Sequence, residues 1–196
     1  EKRERKRKGR IEVLLFLLCG LGNNGSEYAG TRHNAGYLVI DRFSRALNIP
    51  FSKKLSGCRI GYSESLIIAK PVAYMNLSGG PVFSLMKKMD IAVEDFLLIH
   101  DDLDMELGRI RIRLGGSDGG HKGVRSVIET LGSSQFYRLK LGIGRDPGIE
   151  PEEYVLSRFG DHEMKIMYET IETAVEAARI FIFDSKSKAM SMYNRR

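Results

Sequence analysis

Residues Phe96-Leu97-Leu98-Ile99 constrain this chain most: four consecutive apolar side chains with no polar alternation. Successive strand side chains point to opposite faces of a sheet, so an unbroken apolar run asks for cover on both. Val13 to Cys19 is a second apolar run of this kind. Helical spacing follows it, through Leu38, Phe43 and Leu47, and stops at Ile49-Pro50. The same spacing returns over Val82–Met89, over Val124–Leu131 up to Gly132, and along Asp161–Phe183. Strands are read near 57–62, 66–69 and 138–143, and Arg109–Leu114 alternates strictly between charged and apolar. Strands alternating with helices around apolar central strands predict an α/β fold. It is a single-domain three-layer sandwich, with a twisted, mixed but mostly parallel sheet and helices on both faces.

At 196 residues one sizeable core is the expectation, here over residues 11–185. The net charge of +6 is concentrated at one end: residues 1–10 carry seven Lys/Arg and two Glu. They are read as a basic disordered arm and 186–196 as a polar, frayed C-terminal tail. A claim of nucleic-acid binding therefore has to rest on local clusters. No apolar run approaches membrane-spanning length, and Glu12 interrupts the one that could pass for an export signal. Cys19 and Cys58 are too few for a disulfide framework, so buried thiols in a reducing cytoplasm are expected.

The chemistry concentrates in loops that follow strands. The longest, Gly20 to Gly36, holds Asn23, Asn24 and the triplet Arg32-His33-Asn34. Its Gly20-x-Gly22-x-x-Gly25 spacing matches a dinucleotide-binding turn, but that turn needs a helix to begin at once, and Gly30 to Asn34 delay it. His100-Asp101-Asp102-Leu103-Asp104, Tyr74-Met75-Asn76 and the glycine-rich 115–123 stretch are the others. If these loops meet at one sheet edge, they bring together a histidine base, a carboxylate to orient it and side-chain amides for an oxyanion. That set suits acyl-bond hydrolysis by activated water. The aspartates could instead form a hard-cation site or a solvated turn, although no further acid or histidine pair completes a cation site. Ser117-Asp118 and its glycines open a helix whose free N–H groups favour an anion, with Arg111 and Arg113 just upstream.

Five blocks in order carry a resemblance. Gly20-Leu-Gly22-Asn23-x-Gly25-x-x-Tyr28-x-x-Thr31-Arg32-His33-Asn34-x-Gly36 resembles the first signature of bacterial-type peptidyl-tRNA hydrolases. Lys70-Pro71-x-x-Tyr74-Met75-Asn76-Leu77-Ser78-Gly79 and His100-Asp101-Asp102-Leu103-Asp104 resemble the next two. Gly115-Gly116-x-x-Gly119-Gly120-His121-x-Gly123 and Arg138-Leu-x-x-Gly142-Ile143-Gly144 resemble the last pair. The resemblance implies a monomeric cytoplasmic enzyme that needs no metal or other cofactor and binds tRNA. It would hydrolyse the ester between a peptide and the tRNA 3′ ribose, recycling tRNA from aborted translation. It implies His33 as the base that activates water and Asp101 as its orienting partner. Asn23, Asn76 and Met75 then hold the peptide end, Tyr28 lies beside the tRNA 3′ end, and Arg111, Arg113, Arg138 and Lys140 face tRNA phosphates.

Two positions depart from the family pattern. Asn24 stands where the motif usually has Pro, and Asn tolerates turn geometry well. Lys122 stands where the glycine motif most often has an Asn that binds the water or the oxyanion. Lysine keeps a donor and adds a charge but cannot accept, so its expected role is electrostatic, toward the oxyanion or toward a phosphate. The family also has a non-catalytic RNA-binding member among plant chloroplast intron-splicing factors. Retention of His33, Asp101, Asn23 and Asn76 together favours the enzyme.

Overall fold

A computed structural model of the chain describes residues 4–7, 10–13 and 15–194. The first strands, β1 (Glu4–Arg7) and β2 (Arg10–Val13), pair antiparallel as a ribbon apart from the main sheet. The remainder of the basic arm 1–10 lies outside the described residues.

The main sheet uses β3 (Phe16–Gly20), β4 (Lys53–Leu55), β5 (Cys58–Tyr62), β6 (Leu66–Pro71), β7 (Phe96–Asp102), β8 (Ile110–Leu114) and β9 (Tyr137–Gly142). Their order across the sheet is β4-β5-β6-β3-β7-β9-β8. The four central strands, β6, β3, β7 and β9, run parallel, and the outer strands join antiparallel. The expected mixed, mostly parallel sheet is what forms.

The apolar runs are buried as their patterns require. Phe16, Leu18, Leu97 and Ile99 enter one core cluster, which holds α1 (Ala35–Ala46) and α5 (Asp161–Phe183). Leu17, Cys19, Phe96 and Leu98 point the other way, into a second cluster under α2 (Gly79–Lys88) and α3 (Lys122–Leu131). Each large side chain so enclosed contributes about 1.5–3 kcal/mol. Three layers result, sharing the sheet. Cys19 and Cys58 are both free and buried. Among the described residues no helix is long and apolar enough to cross a membrane.

The chain leaves β3 toward β6 on one side, while β7 leads to β9 and β8 on the other. Loops leaving two neighbouring parallel strands in opposite directions open a crevice at their carboxyl ends, where α/β proteins place ligands. Both Gly20 and Asp101 stand at this edge. Glycine is required here: a Cβ on Gly20 would come 2.2 Å from the Gly36 carbonyl oxygen, and one on Gly36 would come 2.5 Å from that of Ile99.

Two readings of the sequence need correction, and one helix is not read in it. His100, Asp101 and Asp102 are the last residues of β7, paired with Lys140, Leu141 and Gly142, and not a loop beyond it. The stretch after Asp146 contains a helix, α4 (Pro151–Leu156), begun by a proline whose missing N–H costs nothing at that position. The polar stretch 186–196 is no frayed tail where it is described. Residues Lys186–Tyr193 form α6, capped by the Ser185 hydroxyl and anchored by buried Ala189. The Asn194 amide then donates to the Ile112 carbonyl and accepts from its N–H, both at 2.8 Å. These are the ladder groups that edge strand β8 would otherwise leave unpaired.

Candidate active site

The loop after β3 is held from both ends. Leu21 donates its N–H to the Ile99 carbonyl (2.9 Å), and its own carbonyl accepts from Tyr37 in the first turn of α1 (3.1 Å). Between them Asn34 clamps Asn23. Its Oδ1 accepts the Asn23 N–H at 2.7 Å, and its Nδ2 donates to the Asn23 carbonyl at 3.1 Å. The Asn23 side chain in turn accepts the Met75 N–H on Oδ1 at 2.9 Å. That bond settles which way the amide faces: Nδ2, with no partner among the described residues, is left for the cavity that Asn23 lines.

His33 sits in a short 3-10 turn, Arg32–Asn34, just before α1. Its Nδ1 lies 2.9 Å from Asp101 Oδ2 and 3.1 Å from Oδ1. Asp101 Oδ1 also meets His121 Nε2 at 3.0 Å. His121 is the N-cap of α3, and its Nδ1 accepts from the backbone N–H groups of Gly123 (3.1 Å) and Val124 (3.2 Å). A ring nitrogen that accepts two N–H groups carries no proton, so the His121 proton is on Nε2 and is donated to Asp101. The carboxylate therefore receives an N–H from each imidazole. Burial alone would raise the Asp101 carboxyl, but the two rings win and hold it well below the usual carboxylate range.

The His33, Asp101 and His121 donor atoms lie within 4.8 Å of one another, the spacing of a metal ligand set. The protonation pattern does not suit one. Metal on His121 Nε2 would displace the proton there, while the two backbone N–H groups keep Nδ1 from taking it up. The group is a hydrogen-bonded chain.

His100 packs against the same centre. Its ring meets the His121 ring edge to face at 4.9 Å, and its Nδ1 donates to the Asp101 carbonyl at 2.6 Å. Burial, with His121 beside it, pushes His100 well below the ordinary histidine range, so it stays neutral. Its Nε2 is buried without a partner among the described residues.

Arg32 ties this loop to the helical wall. Its guanidinium lies over the rings of Tyr154 (4.3 Å) and Phe159 (4.8 Å), with Glu163 at 2.8 Å and Ser157 Oγ at 3.1 Å.

A cavity of about 770 Å³ gathers most of the residues expected from the sequence: Asn23, Tyr28, His33, Met75, Asn76, Asp101 and Lys122 all line it. Met75 approaches the first turn of α3 closely, since a Cβ on Gly123 would come 2.4 Å from its sulfur. Lys122, expected toward the oxyanion or a phosphate, extends to Glu152 Oε1 at 2.8 Å, with both side chains more than half exposed.

The four cations expected on tRNA phosphates divide. Arg111 and Arg113 are exposed on edge strand β8. Lys140 is paired with Asp102 at 2.6 Å. Arg138 is a correction: it is 1% exposed, and its guanidinium donates to the Gly115 and Ser117 carbonyls. It holds the glycine loop in shape and offers a phosphate nothing. The roles of His121, Arg32 and Glu152 were not read from the sequence. His121 stood in the glycine-rich block at the head of an apolar-striped helix, but imidazole is not among the usual caps, so its bonds to that helix and to Asp101 were not legible.

An α/β fold with a carboxylate-held histidine and a free amide donor in one crevice defines a class, the hydrolase built for general-base chemistry. The family model described as peptidyl-tRNA hydrolase matches residues 17–196. A peptidyl-tRNA hydrolase of Thermodesulfovibrio yellowstonii is 41% identical over 187 residues, covering 92% of this chain and all of that protein. One from Dehalococcoides mccartyi is 41% identical over 186 residues, covering 91% and 98%. The crystal structure of peptidyl-tRNA hydrolase from Acinetobacter baumannii superposes with a TM-score of 0.85 at 33% identity, over 92% of this chain and 94% of that one. The chain belongs to the peptidyl-tRNA hydrolase family.

Proposed function

We propose that this protein hydrolyses the ester between a peptide's terminal carbonyl and the 3′ ribose of tRNA, with His33 as the base. The carrying observation is the geometry at Asp101. His33 donates a hydrogen bond from its Nδ1–H to that carboxylate, which leaves the Nε2 lone pair for a water in the cavity. As Nε2 takes the water's proton, the hydroxide adds to the ester carbonyl, and the imidazolium that forms is stabilised by the buried carboxylate. The Asn23 amide, fixed through Met75, is a preorganised donor for the carbonyl oxygen as it gains charge. Asn76, exposed on the cavity wall, is placed for the peptide backbone, and Tyr28 for the 3′ end of the tRNA. Arg111 and Arg113 supply the phosphate contacts, and Lys140, held by Asp102, is available to a phosphate that displaces the carboxylate. The protein works on this substrate as a cytoplasmic monomer without metal.

The test is single-turnover release of tRNA from an N-acetyl-aminoacyl-tRNA, with the unblocked aminoacyl-tRNA as control. Cleavage of the blocked substrate that His33→Ala abolishes is the expected outcome. Tight tRNA binding without cleavage by the unaltered protein would replace the enzyme reading with a binding one.

A further inference from the structure

The cavity's charges are unequally committed. Asp102 is neutralised by Lys140 and Asp118 lies beside Arg125 at 3.4 Å, both partners standing outside the cavity. What remains on the wall is Lys122, Glu152 and Glu150, and Lys122 is the one Lys or Arg among the lining residues. The Lys122–Glu152 pair joins the first residue of α3 to the first turn of α4, two separate walls. Both members face solvent, with side chains 53% and 77% exposed. An ion pair this open is held weakly, so either member can be taken by a better-placed charge. Lys122 also directly follows His121, the residue bonded to Asp101, and both line this cavity.

We infer that the Lys122–Glu152 pair is the charge-reading element of the peptide cleft, exchanging partners with the peptide side chain next to the ester-linked residue. An acidic side chain there displaces Glu152 and takes Lys122. A basic one displaces Lys122 and takes Glu152, with Glu150 in support. The pair lets one cleft serve nascent peptides of either sign, and an asparagine at 122 would leave the wall with two unopposed glutamates. This inference rests on the proposal that the cavity holds the peptide.

The experiment compares kcat/KM for N-acetyl-Xaa-Ala-tRNA with Xaa as Glu, Gln or Lys, in the unaltered protein, Lys122→Asn and Glu152→Gln. Ratios taken within each protein cancel any general effect of a substitution on rate or folding. Lys122→Asn is expected to lower the Glu:Gln ratio about two- to five-fold, the range for an exposed ion pair, and to raise Lys:Gln. Glu152→Gln should shift both ratios the other way, and high salt should flatten all of them. Ratios that stay put in both variants, while the Gln substrate is cleaved, overturn the inference and leave the proposed activity standing. Failure of the unaltered protein to cleave the Gln substrate overturns both.

Discussion

Replacing Asp101 by Asn should silence the proposed base, His33, without displacing it. In the native arrangement both carboxylate oxygens accept, Oδ2 from His33 and Oδ1 from His33 and His121. An amide of the same shape has one acceptor and one donor. His121 decides which goes where, because Gly123 and Val124 keep its proton on Nε2, and that proton needs an acceptor at the Oδ1 position. The new NH2 therefore falls at the Oδ2 position, 2.9 Å from His33 Nδ1. Two N–H groups cannot face each other at that distance, so His33 moves its proton to Nε2, and the lone pair that should take the water's proton disappears. An Asp→Asn change that imposes the wrong tautomer in this way costs about 10⁴ in kcat, or roughly 5.5 kcal/mol at about 1.36 kcal/mol per tenfold. Because the cause is a tautomer and not a lost contact, it can be undone elsewhere. With His121→Met added to Asp101→Asn, nothing holds the carbonyl of the introduced amide, the amide can turn over, and part of the rate should return. Single-turnover rates give the first readout, and ring-nitrogen NMR of His33 gives the second, with the proton moving from Nδ1 to Nε2. A variant within tenfold of native, or one whose His33 keeps its proton on Nδ1, would refute the reasoning.

Asn23→Asp keeps the acceptor for the Met75 N–H but removes the free donor. Its kcat should fall about 10²–10³-fold, as for loss of one oxyanion donor, with thermal unfolding little changed by differential scanning calorimetry. Arg111→Gln and Arg113→Gln should each reduce the salt slope of tRNA binding by about 1 in a filter-binding titration. Arg138→Gln should instead lower the midpoint of urea unfolding, because it frees two carbonyls of the glycine loop. His100 is held below its unfolded value, so the unfolded chain takes up more protons as pH falls past about 6.5. The stabilisation is present above that pH and is lost below it, at no more than about 1.4 kcal/mol per pH unit for one proton. Urea midpoints at pH 7.5 and 5.5 should therefore converge in His100→Asn, and an undiminished pH slope would exclude His100 as the cause.

Much of this architecture is legible in the order of residues. Phe96–Ile99 has no polar side and is in fact divided between the two cores, which is why an unbroken apolar run identified a central strand. Sequence failed where burial depends on few residues. α6 buries only Ala189 fully, with Met190 and Tyr193 half-buried against the core, too little to make a periodic pattern, and α4 is only six residues long. The cations show a different limit. Arg111, Arg113, Arg138 and Lys140 share one alternation, but β8 is an edge strand and β9 lies between two neighbours. The register sets Arg113 opposite Arg138, and the glycine loop covers only the latter. No single-strand pattern distinguishes them. The pairing of His33 with Asp101 was legible, but that Asp101 is shared with His121 depends on where a helix begins in space.

The contacts that hold His33 and its loop in place come from far along the chain. Asp101 is 68 residues away, and Glu163, which secures Arg32 beside it, is 131 residues from that arginine. A chain still being synthesised is itself a peptide esterified to tRNA, and for most of its synthesis this one holds His33 without the partners that orient it. The order of its own sequence thus completes the site late, only after Asp101 and Glu163 have both been made.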